Sequence, residues 1–329
     1  MRAVVLTGHG GYECLTLRDD VPVPVPRADE VLIRVSAAAV NNTDINTRVG
    51  WYAGGGWTGS FQFPRVQGID ACGHIVGVGA EVDRSRIGER VLIEPCWRGD
   101  AQPVRFLGSE VDGAFAQFTV APARYAHVVH STLSDVELAS FPCSYSTAEN
   151  MLSRARVVAG ERVLITGASG GVGSAAVQLA AARGAQVAAV AAEAKHATLR
   201  TIGAREVVDR NDDLVAAFGP DTFDTVIDVV GGASWPSLLS VIRPGGRYAS
   251  AGAIADPNVV LDLRTLYLKD LTLFGCTVLD EGVFTSLVRH IEQGSIKPLI
   301  AAVLPLNEIV AAQEQFLAKQ HIGKIVLTV

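Results

Sequence analysis

The chain lacks cysteines at CxxC spacing. Its five, Cys14, Cys72, Cys96, Cys143 and Cys276, are scattered, and an odd count in a chain of this size argues against a disulfide framework and for the cytosol. Also missing is any uninterrupted apolar run of about 18 residues, the length a bilayer-spanning helix needs. The most apolar long segment, 175–192, is broken by Gln178, Arg183 and Gln186, so no membrane role is expected. Positive charge is in short supply: 28 Lys and Arg against 34 Asp and Glu give a net charge of −6. That balance leaves no broad cationic face for a phosphate backbone, which makes nucleic acid a poor expectation. The opening "MRAVVLTGHGG" lacks the longer apolar region and cleavage site of a signal peptide, and reads as a first strand. Repeats, low-complexity tracts and long linkers are absent too. What remains is an ordinary globular composition, 49% hydrophobic and 19% charged, long enough for about two domains acting on a small molecule.

The first third is rich in Gly, Pro and β-branched residues, with short apolar runs such as "EVLIRVSAAAV", "ACGHIVGVGAEV" and "GERVLIEP". Short runs separated by turn residues predict a β-rich, barrel-like domain over 1–125. Near Leu133 the texture turns helical, with Ser134 as N-cap and Glu137 completing a capping box. From Glu161 the runs "RVLITGA", "QVAAVAA", "EVVD", "TVIDVVG", "GRYASAGA" and "LTLFGCTV" alternate with helical segments, among them 173–183 and 194–202. Apolar strands interleaved with helices predict a parallel sheet covered on both faces, over 126–279. The tail, 280–329, offers a strand, a helix and a closing strand, and is expected to return to the first domain.

In "RVLITGASGGVGSAAVQLAAARGAQV" the glycines fall between a predicted strand and a helix. Ser169, Gly170, Gly171, Val172 and Gly173 then form a loop whose backbone can approach a pyrophosphate at the positive end of the helix. An Asp or Glu at the tip of the second strand would read the ribose of NAD, but Val190, Ala191 and Ala192 stand there. Lys195 follows, and Arg210 lies just after the next strand. Two cations there can pair with a 2'-phosphate, so NADPH is the expected cofactor. Two other readings stay open: Glu193 reaching a ribose hydroxyl, and Lys195 as a solvated charge at a helix start.

Together, "VQGIDACGHIVGVG", "GERV", "DGAFAQFTV", "GASGGVGSAAVQLA", "IRPGGRY" and the closing "GKIVL" resemble the medium-chain dehydrogenase/reductase family over essentially the whole chain. The resemblance implies an α/β fold: a Rossmann doubly wound parallel sheet inserted in a GroES-like β-rich catalytic domain, with the active site in the cleft between them. It also implies that Thr147, Val230, Ala251, Gly252, Phe274 and Cys276 lie on segments lining the nicotinamide and its ribose. "LTLFGCTV" is similar to the family's sheet-edge pairing segment, which implies a homodimer.

Zinc-dependent members of that family carry Gly-His-Glu where this chain has Gly68-Ile69-Asp70, and a cysteine where it has Asn41; only Cys143 is retained. Isoleucine has no donor atom and a neutral amide is a poor substitute for a thiolate, so no catalytic zinc is expected. Cys96 stands alone where zinc-bearing members have four cysteines. Asp70, Cys72 and His74 alternate at period two and would share one face of a strand. They are too close along one strand to surround an ion unaided, and read better as a carboxylate with a structural partner, a core thiol and a packing or surface histidine.

"NNTDINTRVGWY" resembles the zinc-free quinone oxidoreductase branch, keeping the spacing of Asn41, Asp44, Arg48, Gly50 and Tyr52 while Asn42, Thr43 and Asn46 depart from it. Without a Lewis acid, reduction of a quinone or a conjugated enone is easier than alcohol oxidation, because the carbonyl delocalises incoming charge and needs only hydrogen-bond donors. Asn41, Thr43 and Tyr52 are the candidate donors, with Tyr52 or water returning the proton. Structural readings stay open for each: fixing a turn, bonding backbone, capping the cleft. The aromatics Trp51, Trp57, Phe61 and Phe63 on a glycine-rich loop either close over a planar substrate or pack on the barrel. The expected function is NADPH-dependent reduction of a small electrophilic substrate. The alternatives are an alcohol dehydrogenase with an altered metal site and a non-catalytic NADPH-binding protein.

Overall fold

The computed structural model describes residues 1–54, 61–98 and 103–329. They form two units, Met1–Cys143 together with Pro298–Val329, and Ser144–Lys297. Trp57 lies outside the described residues. Phe61 and Phe63 pack on His9, with ring centroids 5.4 and 4.8 Å away.

The first unit is organised by the strand Glu30–Ala39, in which Val31, Ile33, Val35 and Ala37 turn inward at the period of two that a pleated strand imposes. It pairs antiparallel with Cys72–Val78, Phe118–Pro122 and Lys324–Thr328. Arg90–Ile93, Ala126–Val128 and Ile300–Pro305 extend the same sheet. Its core gathers Val4, Ile33, Ile75, Ile93, Phe115 and Leu327, all fully enclosed. The last strand sits with Val326 opposite Ala39 and Leu327 opposite Ala38. That register brings Lys324 to the residues that follow Ala39.

The boundaries fall later than composition suggests, at 143/144 and 297/298 rather than 125/126 and 279/280. Ala126–Val128 is a strand on Arg90–Ile93, which keeps it in the first unit. The helix Val283–Glu292, counted with the returning tail, instead buries Phe284, Leu287 and Ile291 in the second unit, where Ser286 donates to Glu149 at 3.0 Å. An apolar pattern marks an element without saying which core receives it.

The second unit has six parallel strands: β1 (Arg162–Ile165), β2 (Gln186–Val190), β3 (Ala204–Val208), β4 (Phe223–Asp228), β5 (Ile242–Ser250) and β6 (Thr272–Gly275), in the order β3-β2-β1-β4-β5-β6. Val163, Leu164, Ile165, Val187, Ala188 and Ala189 are all buried, the continuous apolar filling that a sheet covered on both faces requires. The strand order reverses on either side of β1, which makes its carboxyl end the switch point where ligands bind in such sheets. The helix that follows β2 is shorter than expected, His196–Thr201, because 193–195 form a 3-10 turn ahead of it. Among the described residues no helix is long and apolar enough to cross a membrane.

Candidate active site

In the first unit, the helix α1 (Asn42–Val49) explains the spacing of the Asn41, Asp44, Arg48, Gly50 and Tyr52 motif. Asn41 is its N-cap, and Asp44 accepts the Asn41 backbone N–H at 2.8 Å. Gly50 closes the helix with φ of 74°, a left-handed turn that glycine takes without strain. Arg48 is buried and spent on structure, donating to Gln313 at 3.0 Å and to the Gly10 carbonyl at 2.9 Å. The Gly50 turn feeds the 3-10 turn Trp51–Gly54, which folds Tyr52 back on α1. There its hydroxyl meets the Thr43 hydroxyl and accepts from Asn46 Nδ2 at 3.5 Å. Thr43 and Asn46 are three residues apart and share a helix face. Burial raises the Tyr52 pKa above its ordinary value, against the opposing hydrogen bonds from Thr43 and Asn46. The phenol therefore keeps its proton at neutral pH.

The sequence brackets Asn41 with Thr43 and Tyr52, but the structure separates it from them. Asn41 is 5% exposed, and its Nδ2 donates to the Ala39 carbonyl at 3.1 Å and to Asp70 Oδ2 at 2.8 Å. Both amide hydrogens are committed, so none is left for a substrate carbonyl; Asn41 joins parts of the protein instead. Its Oδ1 accepts from Lys324 Nζ. Lys324 Nζ also lies 2.8 Å from Asp70 Oδ2, with the two side chains 2% and 0% exposed. The other carboxylate oxygen, Asp70 Oδ1, accepts the Cys143 backbone N–H at 2.6 Å. A buried charge without a partner costs several kcal/mol, and here each has one.

These residues do not fit a divalent cation. Ile69 offers no lone pair, the Asn41 amide is turned to Ala39 and Asp70, and the Asp70 carboxylate already holds an ammonium ion and two N–H donors. Burial, then the charge of Asp70, drives the Cys143 thiol well above its ordinary pKa and so keeps it protonated. Asp70, Cys72 and His74 do not converge either: Cys72 is buried with its sulfur 3.8 Å from Asp135, whereas Asp70 faces Lys324. Among the described residues no three His, Cys, Asp or Glu side chains are grouped to hold a metal ion.

In the second unit, the glycine loop runs from β1 into the helix α2 (Gly171–Ala182). A Cβ on Gly173 would fall 2.2 Å from the Gly167 carbonyl oxygen, so only glycine lets the helix start so close to the turn. Gly170 caps α2 with no side-chain hydrogen bond. The first-turn N–H groups of a helix have no carbonyl within it to bond; Gly170 is exposed, and Ser169, Gly171 and Val172 are part-exposed. Unpaired N–H groups at a helix start are chemically able to bind an anionic group such as a phosphate. Lys195 Nζ stands 3.4 Å from Ser169 Oγ. Burial, then the nearby charge of Arg210, lowers the Lys195 pKa. Lys195 therefore stands beside the glycine loop at the end of β2, and Arg210, just after β3, is near enough for its charge to act on Lys195. Glu193 is exposed, with its backbone N–H on Asp209 at 3.0 Å. Val230, Ala251, Gly252 and Phe274 are part-exposed on loops following β4 and β5 or on β6, and Thr147 is part-exposed on the helix Pro142–Arg154. Cys276 departs from expectation. It is 2% exposed, with its thiol near the Phe274 carbonyl and Arg154, which withdraws it from a ligand on the loop surface.

Sequence reasoning passed over Lys324, which stands in the quoted "GKIVL". It also passed over Asn46 as a partner of Tyr52. A lysine among apolar strand residues was the available signal for the first.

The alcohol dehydrogenase GroES-like domain family matches residues 27–131, and the zinc-binding dehydrogenase family matches residues 171–293. The chain is 32% identical to an acryloyl-coenzyme A reductase of Metallosphaera sedula, over 100% of both chains. It is 30% identical to a quinone oxidoreductase of Lama guanicoe, over 99% of this chain and 97% of the relative. A solved structure from Sinorhizobium meliloti 1021, described as a candidate alcohol dehydrogenase, is 48% identical and superposes with a TM-score of 0.93 over 100% of this chain and 96% of that one.

Two predictions follow from the enclosed charges. Lys324→Met leaves Asp70 buried without its counter-charge and should cost about 3–5 kcal/mol in urea unfolding, while adding Asp70→Asn should restore much of that loss. The carboxyl of Asp44 is pushed up to about 7, by burial and secondarily by Asp70, against the N–H donors of Asn41 and Ile69. Between about pH 4 and about pH 7 the folded chain keeps this proton while the unfolded chain releases it. Stability from this group therefore falls as pH rises through that window and is level above it. Asp44→Asn should flatten the decline, read from urea midpoints at about pH 5 and about pH 8.

Proposed function

The chain belongs to the medium-chain dehydrogenase/reductase family, in its quinone oxidoreductase-like branch, and from that premise we propose that it is a metal-independent reductase passing hydride from NADPH to a quinone or an α,β-unsaturated carbonyl compound. Family membership makes it an oxidoreductase that uses a nicotinamide cofactor. The choice of acceptor rests on one observation: an ammonium ion, Lys324, is seated on Asp70 among the side chains that correspond to a metal-binding set in zinc enzymes. The relatives point the same way, since their names describe reduction of quinones, alkenals or enones, and acryloyl-coenzyme A.

The reduced nicotinamide, when bound, supplies the hydride. Ser169 and the backbone of Gly170, Gly171, Val172 and Gly173 would hold the pyrophosphate, and Lys195 with Arg210 would pair with the 2'-phosphate. In the first unit Tyr52 offers its hydroxyl to a carbonyl oxygen as it gains negative charge, while Thr43 donates to the Tyr52 oxygen and orients it. Tyr52, its phenol kept protonated by burial, returns the proton from its Oη, with Asn46 bonded to the same oxygen.

NADPH oxidation against a panel of quinones, enals and enones tests this reading. Turnover of at least one class is expected, with Tyr52→Phe lowering kcat by about tenfold to a hundredfold while cofactor affinity holds. Binding of NADPH without oxidation of it by any acceptor overturns catalysis, and stoichiometric zinc in protein purified without chelator overturns metal independence. Replacing Lys195 and Arg210 with Ala should weaken NADPH by about a hundredfold and leave NADH nearly unchanged, since two charge-assisted contacts to a phosphate are lost. Equal losses for both cofactors would remove the 2'-phosphate assignment.

A further inference from the structure

The carboxyl ends of three Rossmann strands, β1, β4 and β5, are tied to one buried carboxylate. Asp228, the last residue of β4, is 0% exposed. Its Oδ1 accepts the hydroxyl of Thr166, which sits between β1 and the glycine loop, and the Val230 N–H at 2.9 Å. Its Oδ2 accepts the Tyr248 hydroxyl from β5 and the Gly231 N–H at 3.1 Å. Four donors saturate the two oxygens, which is the condition for keeping a carboxylate out of water. The ties continue outward: Thr166 Oγ1 accepts the Val229 N–H at 3.3 Å, and the Val230 carbonyl accepts the Ala255 N–H at 2.9 Å.

Close packing reinforces these bonds. A Cβ on Gly167 would come within 3.0 Å of Val229 and 3.1 Å of Val230, and one on Gly252 within 3.4 Å of the Val229 carbonyl oxygen. Gly231 and Gly232 take φ of 66° and 69°, so the turn that Asp228 braces is one only glycine adopts freely. A parallel sheet completes its ladder between backbones and has no need of such a carboxylate. The loops beyond it do.

The strand order says which part of a dinucleotide lies over them. Lys195 and Arg210 follow β2 and β3, on one side of β1, and the pyrophosphate cradle begins at β1 itself. The other half of the molecule then extends over the ends of β4 and β5. We infer that Asp228 is a positioning residue for the nicotinamide half of the cofactor, fixing segments 229–232 and 250–255 to the phosphate loop as one rigid cradle. This rests on the NADPH reading above. A carboxylate touching no ligand acts here through preorganisation, since loops already in place need not be ordered when the cofactor binds.

Calorimetric titration with two ligands tests it: NADPH, and adenosine 2',5'-bisphosphate, which carries the 2'-phosphate but no nicotinamide. Asp228→Asn should weaken NADPH by about tenfold and move the bisphosphate by less than about twofold. Tyr248→Phe and Thr166→Val, each removing one donor, should shift NADPH in the same direction by less, and they carry the comparison if the Asn variant does not fold. Unchanged NADPH affinity in variants of a protein that binds NADPH tightly overturns the inference alone. So does equal weakening of both ligands, which marks a general loosening of the unit. Wild-type protein that binds neither ligand overturns the cofactor reading, and this inference with it.

Discussion

The ammonium of Lys324 and the carboxylate of Asp70, both withdrawn from water and 2.8 Å apart, oblige four distant pieces of chain to meet. Lys324 arrives on the last strand, Asp70 precedes Cys72–Val78, Asn41 opens α1, and Cys143 contributes its backbone N–H. Neither charge is tolerable without the other, because transfer of an isolated ion to a low-dielectric interior costs far more than one hydrogen bond returns. A buried pair of this kind adds little stability over a well-packed apolar replacement. It selects one arrangement from many: the strand register, the start of α1 and the orientation of the Asn41 amide must all be right at once. The Thr43 and Tyr52 hydroxyls inherit their placement from that arrangement, since α1 carries one and supports the other.

The second unit repeats the device with different parts. Asp228 is enclosed and saturated, here by two hydroxyls and two backbone N–H groups instead of a cation. In each unit, then, an acid that never meets solvent braces polar groups that do. The division of labour follows from energetics. Groups that must bind and release a ligand cannot be over-satisfied by protein, whereas the groups that hold them must be. In the proposed function Tyr52 and the Ser169–Gly173 loop are of the first kind; Asp70 and Asp228, saturated by protein donors, are of the second.

Legibility in the sequence tracked how local each interaction is. The glycine loop could be read because Gly167, Gly170, Gly171 and Gly173 answer to a turn and a helix start within a few residues. The Ser134 and Glu137 capping box could be read for the same reason, and both hydrogen bonds are present. Asn41 was legible as a motif position and illegible as a role. Its amide is consumed by Asp70 and Lys324, which stand 29 and 283 residues away, and no local pattern reports partners at that distance. Cys276 illustrates the same gap, because the pattern of a strand places it on a segment but does not say that its thiol turns inward toward Arg154.

By itself the sequence determined the alternation of strand and helix, the glycine turn between β1 and α2, the missing metal ligands at Asn41 and Ile69, and the pair of cations after β2 and β3. Periodicity, backbone freedom and donor chemistry are properties of a residue and its near neighbours. Only the tertiary structure decided that a lysine from the final strand neutralises Asp70, that Asn46 and Thr43 converge on Tyr52, and that Asp228 ties together the ends of β1, β4 and β5. Those pairings are chosen by burial: once the cores close, a polar group must accept whichever partner the packing delivers, and packing is a property of the whole chain.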